Sequence, residues 1–299
     1  MRYTVSFCAA LATLTLSACG GASAPSSVAP PVAANAKWVQ PGAGKGPNAS
    51  NIVVVIMENR DYDLIIGDSE APFINGTLVP EAALMTNSHA IGHPSQPNYL
   101  ALFSGSTQGI TDDSCPHTFK TPNIGEELLG AGDSFIGYSE SMPKDGYKGC
   151  ATSLYARKHN PWVDFTNIPA TSNLIWYDIP RQLPSGSAPS LNIIVPNLCN
   201  DMHDCSTQTG DNWLKANVPT ILQQLASQNG LFILTWDEAD PDANGTNQIA
   251  TLLIGPMIKP GQYAQNINHY NVLHTMEKIF NVPCTVNACK APLLKGMWQ

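Results

Sequence analysis

Short, uninterrupted apolar runs alternate along the chain with stretches whose apolar residues recur at helical spacing. Residues 52–57 (IVVVIM) form one such run, rich in β-branched side chains. A continuous run of this kind fits a strand buried on both faces of a parallel sheet. Residues 191–195 and 231–235 repeat the pattern, and 134–138 and 250–254 supply two further strands. Between them lie helical signals. Residues 213–228 place Leu214, Val218, Ile221, Leu222 and Leu225 on one side, with Gly230 closing the helix. Residues 125–131 and 269–280 read as two more helices. Another begins at or near Ser95, keeps Pro97 in its first turn, runs through Tyr99, Leu100, Ala101, Leu102 and Phe103, and stops at Gly105. Residues 71–85 read as a helix or turn plus a linker. Residues 146–192 read as an irregular but ordered insertion, because Trp162, Trp176 and Tyr177 fall in it. Strands alternating with helices predict an α/β fold with a mostly parallel central sheet and helices on both faces. No internal repeat interrupts this pattern.

The N-terminal pattern is different. Arg2 precedes an apolar segment, residues 5–16, that is too short to span a bilayer, so residues 1–18 read as an export signal. Leu16-Ser17-Ala18-Cys19-Gly20 looks like the lipobox of bacterial lipoproteins, which predicts a lipidated Cys19; an ordinary signal peptide cut near Ala24 is the alternative. Ala, Pro, Gly and Ser dominate up to about residue 50 and predict a flexible tether over 19–50. The expected layout is a signal (1–18), a lipidated tether (19–50) and one folded domain (51–299). It implies an exported protein, held on a bacterial membrane in the periplasm or at the cell surface, with secretion as the alternative.

Cysteine usage agrees with export. Of eight cysteines, Cys8 leaves with the signal and Cys19 takes the lipid. Cys115, Cys150, Cys199, Cys205, Cys284 and Cys289 remain, an even set that reads as disulfides. Sequence proximity suggests Cys115–Cys150, Cys199–Cys205 and Cys284–Cys289. A zinc site from Cys199, His203 and Cys205 is the competing reading; it lacks a clear fourth ligand. Asn-x-Ser/Thr sequons occur at Asn48, Asn75 and Asn244. The net charge of −8 argues against a nucleic-acid partner, which would call for a basic face. It leaves room for small anionic substrates, because a bound metal can invert the local field.

Three of the apolar strands end in polar clusters: Glu58-Asn59, Asn200-Asp201-Met202-His203-Asp204 and Asp237-Glu238. In a parallel sheet these clusters emerge on one edge, where α/β proteins bind ligands. The start of the Ser95 helix can meet them there, with its unpaired N–H groups and positive dipole end. Carboxylates with an amide oxygen make a hard-ligand set suited to a divalent cation. A metal beside Ser95 would lower the hydroxyl pKa and offset phosphate charge. Each residue also has a plainer reading: Ser95 as a helix N-cap, Glu58-Asn59 as the cap of a following helix, Asp237 and Glu238 as a solvated turn, His203 as a backbone hydrogen-bond partner.

As a set, these residues resemble a known family. Met57-Glu58-Asn59, His93-Pro94-Ser95-Gln96-Pro97-Asn98-Tyr99, Tyr155-Ala156-Arg157-Lys158-His159-Asn160-Pro161-Trp162, Asn200-Asp201-Met202-His203-Asp204, Thr235-Trp236-Asp237-Glu238 and His269-Tyr270-Asn271-Val272-Leu273 look like the bacterial phosphoesterase family of acid phosphatases and phospholipases C, within the alkaline phosphatase superfamily. The motifs keep the family's order over about residues 51–298; the tether and lipobox lie outside it. The resemblance implies an alkaline-phosphatase-like fold and a Ser95 nucleophile. It also implies one divalent metal held by Glu58, Asn59, Ser95, Asp237 and Glu238, the last of which is often Asp in the family. His203 matches a histidine beside the phosphate, and His93, Asn98, Asp204 and His269 fall around the substrate. For Arg157 and Lys158 the alternatives are contact with the phosphate or the leaving group and a plain surface pair, and they read as the surface pair. The implied activity is acid phosphatase action on monoesters, phosphoinositides among them, through a phosphoserine. The implied partners are a phosphorylated small molecule or lipid headgroup, and a membrane reached through the lipid anchor. A phospholipase C-type diesterase is the alternative within the family, although the chain is short for the extra domains common there. A non-catalytic anion-binding lipoprotein is the alternative outside it. A serine carboxylesterase would call for Gly-x-Ser-x-Gly, which the chain lacks.

Overall fold

The computed structural model describes residues 47–177, 190–241 and 245–299. The expected signal, Cys19, nearly all of the tether and the Asn244 sequon lie outside the described residues. The strands in chain order are β1 (Asn51–Met57), β2 (Ala83–Met85), β3 (Ser88–His89), β4 (Ser134–Glu140), β5 (Asn173–Trp176), β6 (Ser190–Val195), β7 (Leu231–Trp236), β8 (Gln248–Ile249), β9 (Thr251–Ile254), β10 (Gly261–Tyr263) and β11 (Ile267–Asn268). The α-helices are α1 (Val79–Glu81), α2 (Ser95–Ser104), α3 (Ile124–Ala131), α4 (Thr207–Ser227) and α5 (His269–Phe280).

An eight-stranded sheet runs β10-β2-β9-β7-β1-β6-β4-β5, and β11-β3-β8 form a small second sheet. Strands β7, β1, β6, β4 and β5 pair in parallel. Strand β9 runs against both of its neighbours, β7 and β2. The centre of the sheet is β1, with Val54 opposite Ile193 on one side and Ile233 on the other. All of β1 is buried, because its alternate residues enter two cores. Ile52, Val54 and Ile56 pack with Leu100 and Phe103 of α2, Leu128 of α3 and Leu273 and Met276 of α5. Val53, Val55 and Met57 pack with Trp213, Leu214, Val218, Ile221 and Leu225 of α4. Each such side chain, fully buried, contributes roughly 1.5–3 kcal/mol. Helices on both faces and a mostly parallel sheet are therefore what the apolar runs predict.

Several details differ from the sequence expectation. Helix α4 begins at Thr207, capped by the Ser206 side chain accepting from Thr209 N, rather than at 213. Its first turns are polar, so apolar spacing does not reveal them; there Asp211 accepts hydrogen bonds from Phe73 N and Ile74 N. Residues 71–85 contain a π-helical turn (Ile74–Leu78), α1 and β2. The expected insertion supplies the edge strand β5 and short 3-10 turns, including Arg157–His159 and Pro161–Asp164. Cys115–Cys150, Cys199–Cys205 and Cys284–Cys289 form disulfides, which removes the zinc reading of Cys199 and Cys205. Among the described residues no helix is long and apolar enough to cross a membrane.

Candidate functional site

The site forms where the central strands run out. Past Met57 the chain continues as Glu58-Asn59; past Trp236 of the neighbouring strand it continues as Asp237-Glu238. Asp237 N donates to Met57 O (3.0 Å), extending the ladder to the clusters themselves, and Glu58 N donates to Asp201 O (2.8 Å) on the β6 side. Asn59 turns back with φ of +34°, a left-handed conformation that Asn tolerates better than most residues. Arg60 clamps that turn through Nη1 to Asn59 O (2.8 Å), while its Nη2 bonds Cys205 O (2.8 Å).

Ser95 is the first residue of α2 and is 1% exposed. Its side chain caps no helix amide. Instead Oγ lies 3.1 Å from Glu58 Oε2, 3.1 Å from Glu238 Oε1 and 3.5 Å from Asn59 Oδ1. The hydroxyl has one proton and donates to one of these at a time. The second helix amide is already engaged: Gln96 N donates to Asp113 Oδ1 (3.0 Å). A ligand at the helix start therefore meets the dipole and the Ser95 hydroxyl, with the Gln96 N–H turned to Asp113.

The carboxylates are crowded and dry. Burial, then the charges of Asp237 and Asp201, raises the Glu58 pKa well above the usual range. Burial and Glu238 do the same for Asp237. Burial pushes Glu238 up to about 7. Asp237 Oδ2 is buried without a partner. The Asn59 amide can direct its nitrogen at Glu58 Oε2 (2.6 Å) and Asp237 Oδ1 (3.3 Å), or its oxygen into the same cluster. Three carboxylates, an amide oxygen and a hydroxyl, with an orphaned carboxylate oxygen among them, fit a hard divalent cation. Glu58, Asn59, Ser95, Asp237 and Glu238 are the residues that could hold it.

A second group lies against Glu58. Tyr99, one helical turn after Ser95, donates its hydroxyl to Glu58 Oε1. His159 stacks on Tyr99 with centroids 5.2 Å apart. Its Nε2 is 3.3 Å from Glu58 Oε1 and its Nδ1 is 3.7 Å from Asp201 Oδ2. Burial lowers the His159 pKa well below the ordinary value, so its ring is neutral. Ligand atoms of Glu58, His159 and His203 all lie within 4.8 Å of one another. His203 N donates to Asp201 Oδ1 (2.8 Å), and its ring Nδ1 faces Asp204 Oδ1 (2.7 Å).

Other residues expected at the substrate take different places. Asp204 orients His203. Asn98 is spent on the loop before Ser95: Oδ1 accepts from Ile91 N and Gly92 N, and Nδ2 donates to Gly92 O and Pro94 O. His269 is buried behind the site, with Nε2 2.6 Å from the Asp237 carbonyl, and burial pulls its pKa down to about 4. His93 stays at the rim, with Nδ1 2.6 Å from Glu238 Oε2. Arg157 and Lys158 are not a surface pair. Arg157 is buried against Asp164, and Lys158, with a side chain 21% exposed, pairs with Asp113. The sequence reading assigned no role to Tyr99, His159 or Asp113. Tyr99 sits at i+4 from Ser95, a usable signal; His159 and Asp113 reach the site only through tertiary structure.

Residues 69–283 match the phosphoesterase family. The chain is 41% identical over 253 residues to the phosphatidylinositol-3-phosphatase of Mycobacterium tuberculosis, a match spanning 84% of each protein. It is 28% identical over 259 residues to a probable acid phosphatase of Kluyveromyces lactis, covering 80% of this chain but 60% of that one. Among solved structures, an alkaline phosphatase superfamily protein of Vibrio parahaemolyticus superposes with a TM-score of 0.56 at 12% identity, covering 85% of this chain and 72% of that one. The lipoteichoic acid synthase of Listeria monocytogenes does so at 0.57 and 10% identity, covering 81% and 76%. These two likenesses concern the fold. The chain therefore belongs to the phosphoesterase family: it is a phosphoric ester hydrolase on the α/β fold of the alkaline phosphatase superfamily.

Proposed function

We propose that the protein is an exported phosphatase that removes phosphate from monoesters, phosphoinositides among them, through a phosphoserine on Ser95. The observation that supports this most is the Ser95 hydroxyl, buried at a helix start and aimed into an oxygen cluster instead of capping its own helix. The named substrate of the mycobacterial relative supports the phosphoinositide part.

Ser95 Oγ attacks phosphorus in line with the leaving oxygen. The Oγ–P bond forms, the bond from phosphorus to the leaving oxygen breaks, and the hydroxyl proton passes to Glu58 or Glu238. His203, as imidazolium held by Asp204, gives a proton to the departing oxygen. Water then attacks the phosphoserine, which releases inorganic phosphate and restores Ser95. Bound to Glu58, Asn59, Asp237, Glu238 and Ser95 Oγ, a divalent cation would offset phosphate charge and favour the serine alkoxide. Tyr99 and His269 hold Glu58 and the Asp237 backbone in place.

The disulfides support export. Attachment through a lipidated Cys19 is part of the same proposal, and intact mass of the mature N-terminus tests it: an acyl-modified cysteine is expected, and an unmodified terminus would remove the anchor. The activity is tested by phosphate release from p-nitrophenyl phosphate across mildly acid to alkaline pH, comparing the mature protein with Ser95→Ala. Turnover lost in a folded variant supports the reading; equal turnover removes Ser95 from the chemistry. A rate that climbs steadily into alkaline pH removes the imidazolium role of His203.

A further inference from the structure

We infer that Lys158 is the cation that makes this site select dianionic phosphate monoesters over monoanionic diesters, and that Asp113 positions it. The inference rests on the phosphoester reading above. It starts from a connection across the mouth of the site. Asp113 uses both carboxylate oxygens: Oδ1 accepts from Gln96 N (3.0 Å), the residue after Ser95, and Oδ2 accepts from Lys158 Nζ (2.7 Å). Lys158 in turn precedes His159, whose ring lies 3.3 Å from Glu58 Oε1. One carboxylate therefore ties the ammonium to the turn that carries the nucleophile.

Both segments are fixed from behind. Cys115–Cys150 fastens the Asp113 loop to the strip that leads to Lys158, and Arg157 N donates to Cys150 O (2.8 Å). The Arg157 guanidinium bonds Asp164 Oδ1, Lys148 O, His117 O and Val163 O. That use explains why Arg157 is unsuited to a ligand: its donors are committed to backbone and to a buried partner. Arg60 is likewise committed to Asn59 O, Cys205 O and Thr207 Oγ1. Lys158 differs. Its ammonium carries three donors and makes one hydrogen bond among the described residues, while its side chain keeps 21% of its surface open to solvent. Burial works against its charge, but Asp113, Glu58 and Asp237 outweigh burial and keep it protonated.

Charge decides what this arrangement selects. Glu58, Asp237, Glu238 and Asp201 are buried together, and each of them that is ionised repels an entering phosphate. A positive charge beside the pocket attracts a dianion about twice as strongly as a monoanion at the same distance. Removing it therefore penalises monoesters more than diesters. A lysine that only held the loop would, on removal, disturb both substrates equally.

The test compares wild type, Lys158→Gln, Lys158→Arg and Asp113→Asn on p-nitrophenyl phosphate and bis(p-nitrophenyl) phosphate, with inhibition by inorganic phosphate measured alongside. Lys158→Gln is expected to lower monoester kcat/KM and weaken phosphate inhibition by roughly 10- to 100-fold, as befits a lost charge-assisted contact. Diester kcat/KM should fall by only the square root of that factor, roughly 3- to 10-fold. Lys158→Arg should keep most of the preference. Asp113→Asn should raise the monoester KM several-fold and leave kcat nearly unchanged. Should Lys158→Gln not fold, Lys158→Met preserves the stem's packing and is read the same way. Where diester turnover is too slow to read, inhibition by dimethyl phosphate replaces it. Equal losses on both ester types, or none on either, overturn the inference. A wild type that hydrolyses neither ester overturns the phosphoester reading instead; calorimetric binding of inorganic phosphate then decides the Lys158 inference alone, and equal affinity in wild type and Lys158→Gln overturns it.

Discussion

The two halves of the site are built by different means. The oxygen cluster of Glu58, Asn59, Asp237 and Glu238 continues directly from β1 and β7, and the strand ladder carries on into it through Asp237 N and Met57 O. The opposite wall, with His159, His203, Lys158 and Asp113, comes from irregular loops held by Cys115–Cys150, Cys199–Cys205 and buried polar contacts. The first half is acidic and buried because the sheet places it there. The second carries the histidines and the cation, and its geometry depends on crosslinks. On the function proposed above, the sheet side and the start of α2 would hold the metal and the nucleophile, and the loops would recognise and protonate the phosphate.

The largest expected effects lie on the sheet side. Ser95→Ala should lower kcat by roughly 10³-fold or more while the fold is kept. A chelator should abolish turnover, and a divalent cation should restore it. In parallel, the cation should raise the Tm of wild type and not of Asp237→Asn, which is read without any substrate. A cation that stabilised both proteins equally would place the metal elsewhere and break the division between the halves.

Next in size is the loop crosslink. Cys199–Cys205 closes a short loop in which Met202 sits at φ of +84°, a conformation a β-carbon resists. The loop also carries Asp201 and His203. Cys199→Ala with Cys205→Ala should cost roughly 10-fold in kcat, because a proton donor moves out of line, but little in Tm, because so short a loop loses little entropy on closure. Unchanged turnover in the folded double variant would show that the loop holds His203 without the crosslink.

The smallest effect lies outside both halves and serves as a control. Glu277 on α5 is buried, accepts from Thr285 N and Oγ1 through Oε1, and leaves Oε2 without a partner. Burial pushes its pKa up from 4.5 to about 7. The folded state therefore holds this proton more tightly than the unfolded chain does. The stability it provides is full below the unfolded pKa and is lost as pH rises through about 7. Glu277→Gln keeps the acceptor for Thr285 and removes the charge. It should match wild type near pH 4 and exceed it by on the order of 1–3 kcal/mol near pH 8, read from denaturant unfolding at the two pH values. A variant no more stable than wild type at the higher pH would show that the Glu277 carboxylate is accommodated as an anion.

Much of this protein follows from local sequence. The runs at 52–57, 191–195 and 231–235 determine β1, β6 and β7, since a continuous β-branched run has to be covered on both faces. Once these strands are parallel and adjacent, Glu58, Asn59, Asp237 and Glu238 have to emerge together, and the disulfides joined the cysteines nearest in sequence. What the sequence could not determine is how the loops are used. Asn98 and His269 are polar residues in characteristic motifs, yet they serve the backbone around the site. Arg157 and Lys158 are consecutive, yet one is buried in an ion pair with Asp164 and the other, partly exposed, pairs with Asp113. His159 reaches Glu58 only because α2 and the 3-10 turn Arg157–His159 pack side by side. The physical reason is range. Strand burial and ladder direction are set by contiguous residues, whereas the partner of a loop side chain is set by whichever distant segment the fold brings within hydrogen-bond distance, and no local pattern encodes that.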